Sequence, residues 1–260
     1  MNFEEIIKQK KSITSVEVVP PRGKDLNKQL TNLEKLRDRI DIVSIVDSPL
    51  SIPRMHPVAL CHKIKKNLNI DTIMHFTCRD RNKIEIEAVL LAAHALGVRN
   101  ILALTGDKIK NAKPVFEFSS IGLIEFIQRM NEKYDTNFFV GAGMNINATS
   151  LEKEIERAKK KIKSGAKFVF TQPCFSVDKI RNLNLKIPVI AGVLLISERK
   201  KAEFFDNVPG IEIPKNFFEI VNDMGELVNY YKKLISDLRK VVNGISLMPI
   251  GNYEFINEFI

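Results

Sequence analysis

Residues 84–107, IEIEAVLLAAHALGVRNILALTGD, decide the fold. The first half, 84–96, sets Glu85, Glu87 and His94 among Ile, Val, Leu and Ala at helical spacing. It stops at Gly97, the residue type that permits the left-handed turn ending a helix. The second half, 100–105 (NILALT), is short and nearly continuous in apolar side chains, as expected of a strand buried on both faces of a parallel sheet. A helix that feeds a buried strand through one glycine is the repeating joint of an α/β fold.

The same alternation extends in both directions. Strand-type runs occupy residues 15–19 (SVEVV), 41–46 (DIVSIV), 72–77 (TIMHFT), 100–105, 138–142 (FFVGA), 168–172 (FVFTQ), 188–194 (PVIAGVL) and 244–248 (GISLM). Charged segments with helical spacing lie between them, among them 26–39, 121–133, 151–164 and 228–242, and Gly165 and Gly244 follow their helices as Gly97 does. The spacing predicts a βα unit repeated eight times. Such a repeat closes most naturally into a (β/α)8 TIM barrel, for which about 250 residues is the usual size. An open doubly wound sheet would favour a G-x-G-x-x-G turn after its first strand, whereas this first strand runs into Pro20-Pro21-Arg22-Gly23. No Gly/Ser/Pro linker divides the chain, so residues 1–260 are expected to form one domain, with 1–12 as a lead-in helix.

Composition agrees. With 45% apolar and 27% charged residues, a disordered or collagen-like chain is excluded, and 260 residues bury a core without metal or disulfide staples. The three cysteines, Cys61, Cys78 and Cys174, are odd in number and far apart, which argues against a disulfide framework or a structural zinc site and suits a reducing cytosol. Cys78 beside His75 lacks a third and fourth ligand at suitable spacing, so no metal is expected. Residues 1–11 mix Glu4 and Glu5 with Lys8, Lys10 and Lys11 and show no apolar leader, and no stretch reaches membrane-spanning length. A soluble, cytoplasmic protein is expected. The 40 Lys and Arg exceed the 31 Asp and Glu by nine, yet the lysines are scattered, tryptophan is absent and no aromatic residues interleave with them. Solvated helix faces explain them better than a specific nucleic-acid partner.

In a barrel the active site is built at the C-terminal ends of the strands. Here those ends are polar: Glu17, Asp47, His75, Thr77, Arg79, Asp80, Thr105, Asp107, Asn145, Asn147, Thr171, Gln172, Ser197 and Asn252. Each has an ordinary explanation; Asp47 and Asp107, for instance, suit helix N-caps. Their coincidence at one barrel mouth favours a site. Glu17 lies between Val16 and Val18-Val19-Pro20-Pro21, and a carboxyl buried there holds its proton nearer neutral pH, as a general acid must. Gln172 offers a donor and an acceptor that suit a flat heterocycle. Lys159, Lys160, Lys161 and Lys163, with Glu154 and Arg157 before them, form either a solvated helix face or a phosphate contact.

Several stretches resemble methylenetetrahydrofolate reductases, in order along nearly the whole chain: S-V-E-V-V-P-P at 15–21, H-F-T-C-R-D-R-N at 75–82, A-L-G-V-R-N-I-L-A-L-T-G-D at 95–107, S-G-A-K-F-V-F-T-Q at 164–172 and I-P-V-I-A-G at 187–192. The resemblance is greatest to the short form of anaerobic bacteria and archaea, which lacks the regulatory domain of eukaryotic enzymes. It implies reduction of a 5,10-methylene-tetrahydropterin to the 5-methyl form through FAD or FMN. Glu17 then matches the general acid, Asp107 the aspartate between flavin and pterin, and Gln172 the pterin-binding glutamine. His75 and the backbone of Leu104, Thr105, Gly106 and Asp107 match contacts to the flavin ring, while Glu154, Arg157, Lys160 and Lys161 match contacts to its ribityl, phosphate and adenosine portions. Asn147 falls in the flavin-contacting segment after the fifth strand. The implied partners are a reduced pterin, NAD(P)H or an electron-donating subunit, and a second copy of the chain. The chain departs from the family at Val46 (usually Thr), at Gly143 and Asn147 (in place of an aromatic and a histidine) and at Arg199 (in place of a stacking aromatic). These departures leave open a non-catalytic pterin-binding or assembly subunit with a decayed flavin site.

Overall fold

A computed structural model of the chain describes residues 2–10, 12–108 and 112–260. Strands β1 (Ile13–Val18), β2 (Ile42–Ile45), β3 (Thr72–Thr77), β4 (Asn100–Leu104), β5 (Phe139–Met144), β6 (Phe168–Pro173), β7 (Val189–Leu194) and β8 (Gly244–Met248) pair in parallel, each with the next, and β8 returns to β1. The closing register, Ile13 with Gly244 and Val16 with Leu247, completes the barrel. Helices α1 (Phe3–Gln9), α2 (Asn27–Glu34), α3 (Pro57–Leu68), α4 (Lys83–Ala95), α5 (Ser120–Tyr134), α6 (Leu151–Lys163), α7 (Arg199–Asp206), α8 (Phe217–Ile220) and α9 (Met224–Arg239) complete the chain, all but α1 lying between consecutive strands. The (β/α)8 barrel read from the repeat is the fold observed.

The joint that decided the fold behaves as its sequence requires. The Asn82 side chain accepts from Glu85 N at 3.0 Å to start α4. Gly97 takes φ +84°, and Val98 N then returns to Ala93 O at 2.9 Å before β4 begins.

Alternation along each strand separates two cores. Val16, Val43, Ile45, Ala103, Val140, Val193 and Leu247 face the helices. Ile13, Ile42, Ile73, Leu102, Phe168, Phe170 and Ile190 face the barrel interior, where Phe3, Ile6 and Ile7 of α1 close its floor. Phe168 stacks on Phe139 at 5.3 Å and meets Phe3 edge-on at 5.1 Å. Room for that ring exists because position 141 is glycine: a Cβ there would lie 2.1 Å from Phe168 Cε2. A capping box between Asn2 and Glu5 starts α1, and Phe3 N donates to Asp71 Oδ2 at 2.9 Å, which seats the plug. With the floor sealed by packed side chains, the opposite end is where a ligand can enter.

The regular repeat breaks in four places. Residues 174–188, between β6 and β7, form turns without a helix, and Ile180 and Leu183 cover the sheet in its place. After β8 the chain makes only a 3₁₀ turn, Glu254–Glu258. The helix expected over 26–39 divides into α2 and a 3₁₀ turn, Arg37–Arg39. Gly244 is not a left-handed stop: α9 ends at Arg239, and Gly244 opens β8 because a Cβ there would lie 2.8 Å from Ile13 Cβ.

Candidate active site

The C-terminal strand ends enclose a cavity of about 980 Å³. It is lined by Glu17, His75, Leu104, Thr105, Gly106, Asp107, Glu154, Arg157, Lys161 and Gln172, so ten of the sequence-predicted site residues share one space. Asn147 and Lys160 do not line it. Asn147 instead braces neighbouring loops, its Nδ2 donating to Pro173 O at 2.9 Å and Gly210 O at 3.0 Å. Lys160 lies on the exposed face of α6.

Glu17 points inward from β1, level with Ser44 of β2. Its carboxyl opens onto the cavity yet is surrounded by protein, and among the described residues it has neither a hydrogen bond nor an ion pair. Desolvation without compensation pushes it from 4.5 up to about 7. Tyr253 also lines the cavity, and its phenol is pushed up by burial and by the neighbouring Glu17 charge.

Asp47, one strand away, is the opposite case. Burial alone would raise it, but the Arg81 charge and hydrogen bonds from Arg81 (2.6 Å) and from Thr77 N (3.0 Å) and Oγ1 (2.9 Å) hold it below the usual carboxylate range. Neither Asp47 nor Asp107 caps a helix: His56 and Ser119 cap α3 and α5. Asp47 is held by partners on two elements, whereas Glu17 has none among the described residues.

His75 faces the interior from β3, and burial lowers its pKa to about 4, so the imidazole is neutral at neutral pH. Its Nε2 is buried without a partner among the described residues. Gln172 is exposed within an otherwise buried strand because it faces the cavity, and its side-chain amide has no partner among the described residues. The loop after β4 is set by Gly106, at φ +97°, where a Cβ would lie 2.8 Å from Arg79 Cβ. Arg79 is only 1% exposed; it pairs with Asp80 at 2.6 Å and donates to Ser48 O at 3.4 Å, tying the loops after β2 and β3 together. Asp107 stands at the rim, accepting from Leu50 N at 2.7 Å.

On α6, Lys161 is buried and largely used. Its Nζ donates to Gly143 O at 2.6 Å and lies 3.8 Å from Glu154, which itself accepts from Asn145 N at 3.1 Å. Arg157, also lining the cavity, has no carboxylate partner among the described residues. Cys78 is buried with its Sγ at Phe118 O, 2.9 Å away, and among the described residues no group of three or more His, Cys, Asp or Glu could hold a metal ion. No helix among them is long and apolar enough to cross a membrane.

The cavity also draws on residues the strand ends did not announce: Lys28 of α2, Arg54 before α3, Lys200 and Phe204 of α7, and Tyr253 after β8. Which face of a helix overhangs a barrel mouth depends on packing, and no local motif encodes it. Phe204, 54% exposed, carried one usable signal as one of two adjacent aromatics in the largely charged segment RKKAEFFD.

The model of the family described as methylenetetrahydrofolate reductase matches residues 2–244. The chain belongs to that family. Among its curated relatives, methylenetetrahydrofolate reductase 1 of Schizosaccharomyces pombe is 26% identical over 79% of this chain and 36% of its own length. The 5,10-methylenetetrahydrofolate reductase of Buchnera aphidicola subsp. Schizaphis graminum is 25% identical over 99% of this chain and 91% of its own. The chain therefore spans about a third of the yeast relative and nearly all of the bacterial one. A Clostridium thermocellum protein described as binding two copies of 5-methyl-5,6,7,8-tetrahydrofolic acid superposes with a TM-score of 0.69 at 17% identity, covering 94% of this chain and 91% of that one. A 2,3-dimethylmalate lyase reaches 0.61 at 10% identity over 97% and 81% of the two chains. Both share the barrel, which many chemistries use.

The departures from the methylenetetrahydrofolate reductase pattern also have places. Val46 and Gly143 line the cavity, and a Cβ at Gly143 would lie 2.7 Å from Leu104 Cδ2. Arg199 turns to Glu203 at 3.1 Å and to Phe218 O at 3.3 Å.

Proposed function

We propose that this chain reduces a 5,10-methylene-tetrahydropterin to its 5-methyl form with a bound flavin, FAD or FMN. The observation that carries the proposal is Glu17, a carboxyl that faces the cavity with no hydrogen bond or ion pair among the described residues, and that desolvation pushes up to about 7. Bridging methylene chemistry needs a proton delivered to the amine nitrogen that leaves, and a carboxyl that keeps its proton near neutral pH meets that need. Glu17 donates to that nitrogen and opens the five-membered ring. Gln172 presents donor and acceptor to the pterin edge. Asp107 contributes negative charge beside the cationic iminium left behind.

The residues present fit a flavin. Among the described residues, neutral His75 has a buried ring nitrogen without a partner and Arg157 is a cation without a carboxylate that could meet a phosphate, and the Gly106 turn brings backbone close to the cavity. A flavin supplies the hydride when bound. The chain's own work is to position the ring against Leu104–Gly106, exclude water and manage the proton on Glu17.

An anaerobic half-reaction tests this. Flavin-loaded, reduced protein mixed with methylene-tetrahydrofolate or methylene-tetrahydromethanopterin is expected to show the oxidised flavin spectrum. Glu17→Gln is expected to keep its flavin and slow that step by about 10²–10⁴-fold. Retained turnover in the variant removes Glu17 from the chemistry.

A second reading, a pterin-binding subunit without flavin, draws on the commitment of Lys161 to Gly143 and the outward position of Lys160, which leave Arg157 as the cavity-lining cation of α6 without a carboxylate partner among the described residues. A protein that takes up neither FAD nor FMN yet binds reduced pterin would establish it.

A further inference from the structure

Three buried hydroxyls find no hydrogen-bond partner among the described residues and share one side of the barrel interior: Ser15 Oγ of β1, Ser44 Oγ of β2 and Ser246 Oγ of β8. Their direction follows from strand alternation. Ser15 lies between Ile13, packed in the interior, and Glu17, which lines the cavity; Ser44 lies between Ile42 and Val46 in the same way. On β8 a Cβ at Gly244 would meet Ile13 and Ile190, both interior, and Met248 lines the cavity, so Ser246 between them also points inward. All three serines are 0% exposed.

Register brings them together around the acid. Ser15 pairs with Ser246, and Ser44 pairs with Glu17 itself. Ser246 pairs in turn with Gly192 of β7. The interior of a (β/α)8 barrel is ordinarily filled by Val, Ile and Leu. Beside Glu17 it is built instead from three serines and a glycine, and none of the serines lines the open cavity. Burying a hydroxyl without a partner is costly. Several of them converging where side chains are small is what a buried water site requires.

We infer that Ser15, Ser44 and Ser246 hold ordered water against the carboxyl of Glu17, a polar pocket that supports the carboxylate once its proton has gone. The inference rests on the acid role proposed above. In that step the O–H bond of Glu17 breaks and an N–H bond forms on the leaving amine. The water and serine protons stay on their own oxygens and turn to donate towards the carboxylate, since a hydroxyl accepts or donates as its neighbour demands. Solvent returns a proton to Glu17 through the mouth when product leaves. Acting through water and Glu17, the serines are positioning residues.

The other titratable groups that line the cavity on the elements around Glu17 are Lys28 of α2, Asp47 after β2, Arg54 before α3, His75 of β3 and Tyr253 after β8. Asp47 is held below the usual carboxylate range, His75 is neutral above about 4, and burial keeps the Tyr253 phenol protonated. These three keep their charge states near pH 7, so a change there reports Glu17.

The test is the carbon-13 titration of Glu17 in serine variants of the protein as purified, beside a wild-type crystal structure at a resolution that shows water. Ser44→Ala is expected to raise the Glu17 midpoint by about one pH unit, the worth of one hydrogen bond to a charged group. Ser15→Ala and Ser246→Ala should raise it by less, and Ser44→Thr, which keeps the hydroxyl, should restore it. The high-pH limit of flavin reoxidation by the methylene-pterin is expected to move up with the midpoint. The crystal structure is expected to show water within hydrogen-bond distance of more than one of the hydroxyls, a result that stands even where a variant fails to fold. A dry pocket overturns the inference, and so does a midpoint that keeps its wild-type value in all three alanine variants. Turnover retained in Glu17→Gln defeats the acid reading instead, and it leaves the water and the midpoints as measured.

Discussion

At the N-terminal end of the barrel the strands turn Ile13, Ile42, Ile73, Phe168 and Ile190 inward against Phe3 of α1; at the C-terminal end strands of the same barrel turn inward Glu17, His75 and Gln172. The floor is a dry packed core, whereas the mouth is a cavity of about 980 Å³. The mouth itself repeats the contrast in its carboxylates. Asp47 is buried and satisfied by Arg81 and Thr77, and its pKa falls; Glu17 is enclosed without a partner, and its pKa rises to about 7. Burial alone does not mark a functional acid. What distinguishes Glu17 is the lack of compensation, which costs stability and keeps the proton available.

The comparison can be broken hardest at the floor. Phe168→Ala removes a ring packed against Phe3 and Phe139 and is expected to destabilise the fold by about 3–5 kcal/mol, read as a lowered urea midpoint at unchanged slope. Gly141→Ala, which forces a Cβ into that ring, should cost ~1–3 kcal/mol or more by overpacking. A floor that tolerates both would not be the sealed end.

At the mouth, Asp47→Asn leaves the Arg81 guanidinium, 11% exposed, without its carboxylate and is expected to cost about 3 kcal/mol at pH 7. The expected cost shrinks in acid, because the stability contributed by a lowered carboxylate pKa is lost as pH falls through its folded value. Glu17→Gln should act in the reverse sense. Below about pH 4.5 Glu17 is protonated in folded and unfolded chains alike and adds no pH dependence. Between 4.5 and about 7 the unfolded chain ionises first, so wild-type stability falls with rising pH. The Gln variant is therefore expected to match wild type near pH 4 and exceed it by up to about 3 kcal/mol at pH 8, measured by denaturant melts at both. The smallest effect separates two neighbours on α6. Arg157→Gln should weaken flavin binding by about fivefold, and Lys160→Gln, outside the cavity, by less than twofold, in flavin fluorescence titrations.

Much of this was legible in the sequence, for physical reasons. Continuous apolar runs and Gly97 specify buried parallel strands and the joints between them, because both are local requirements. The helix that an eightfold βα repeat places after β6 is absent: residues 174–188 form turns, and Ile180 and Leu183 are buried where it would have packed. Strand-end residues such as Glu17, His75 and Gln172 could be placed at the mouth because a barrel fixes where strands end. The commitments of Lys161 to Gly143 O, and of Asn147 to Pro173 and Gly210, depend on contacts between distant segments. So do the places of Lys28, Arg54 and Lys200 at the cavity, set by how α2, the segment before α3 and α7 overhang the opening.

The most direct measurement is the titration of the Glu17 carboxyl itself. Carbon-13 NMR of protein labelled at glutamate Cδ, with the resonance assigned by its loss in Glu17→Gln, reports the protonation state without any turnover. A midpoint near 7 is expected. A midpoint at the ordinary 4.5 would mean that the carboxyl is ionised and solvated at working pH, and the proposed acid would be gone.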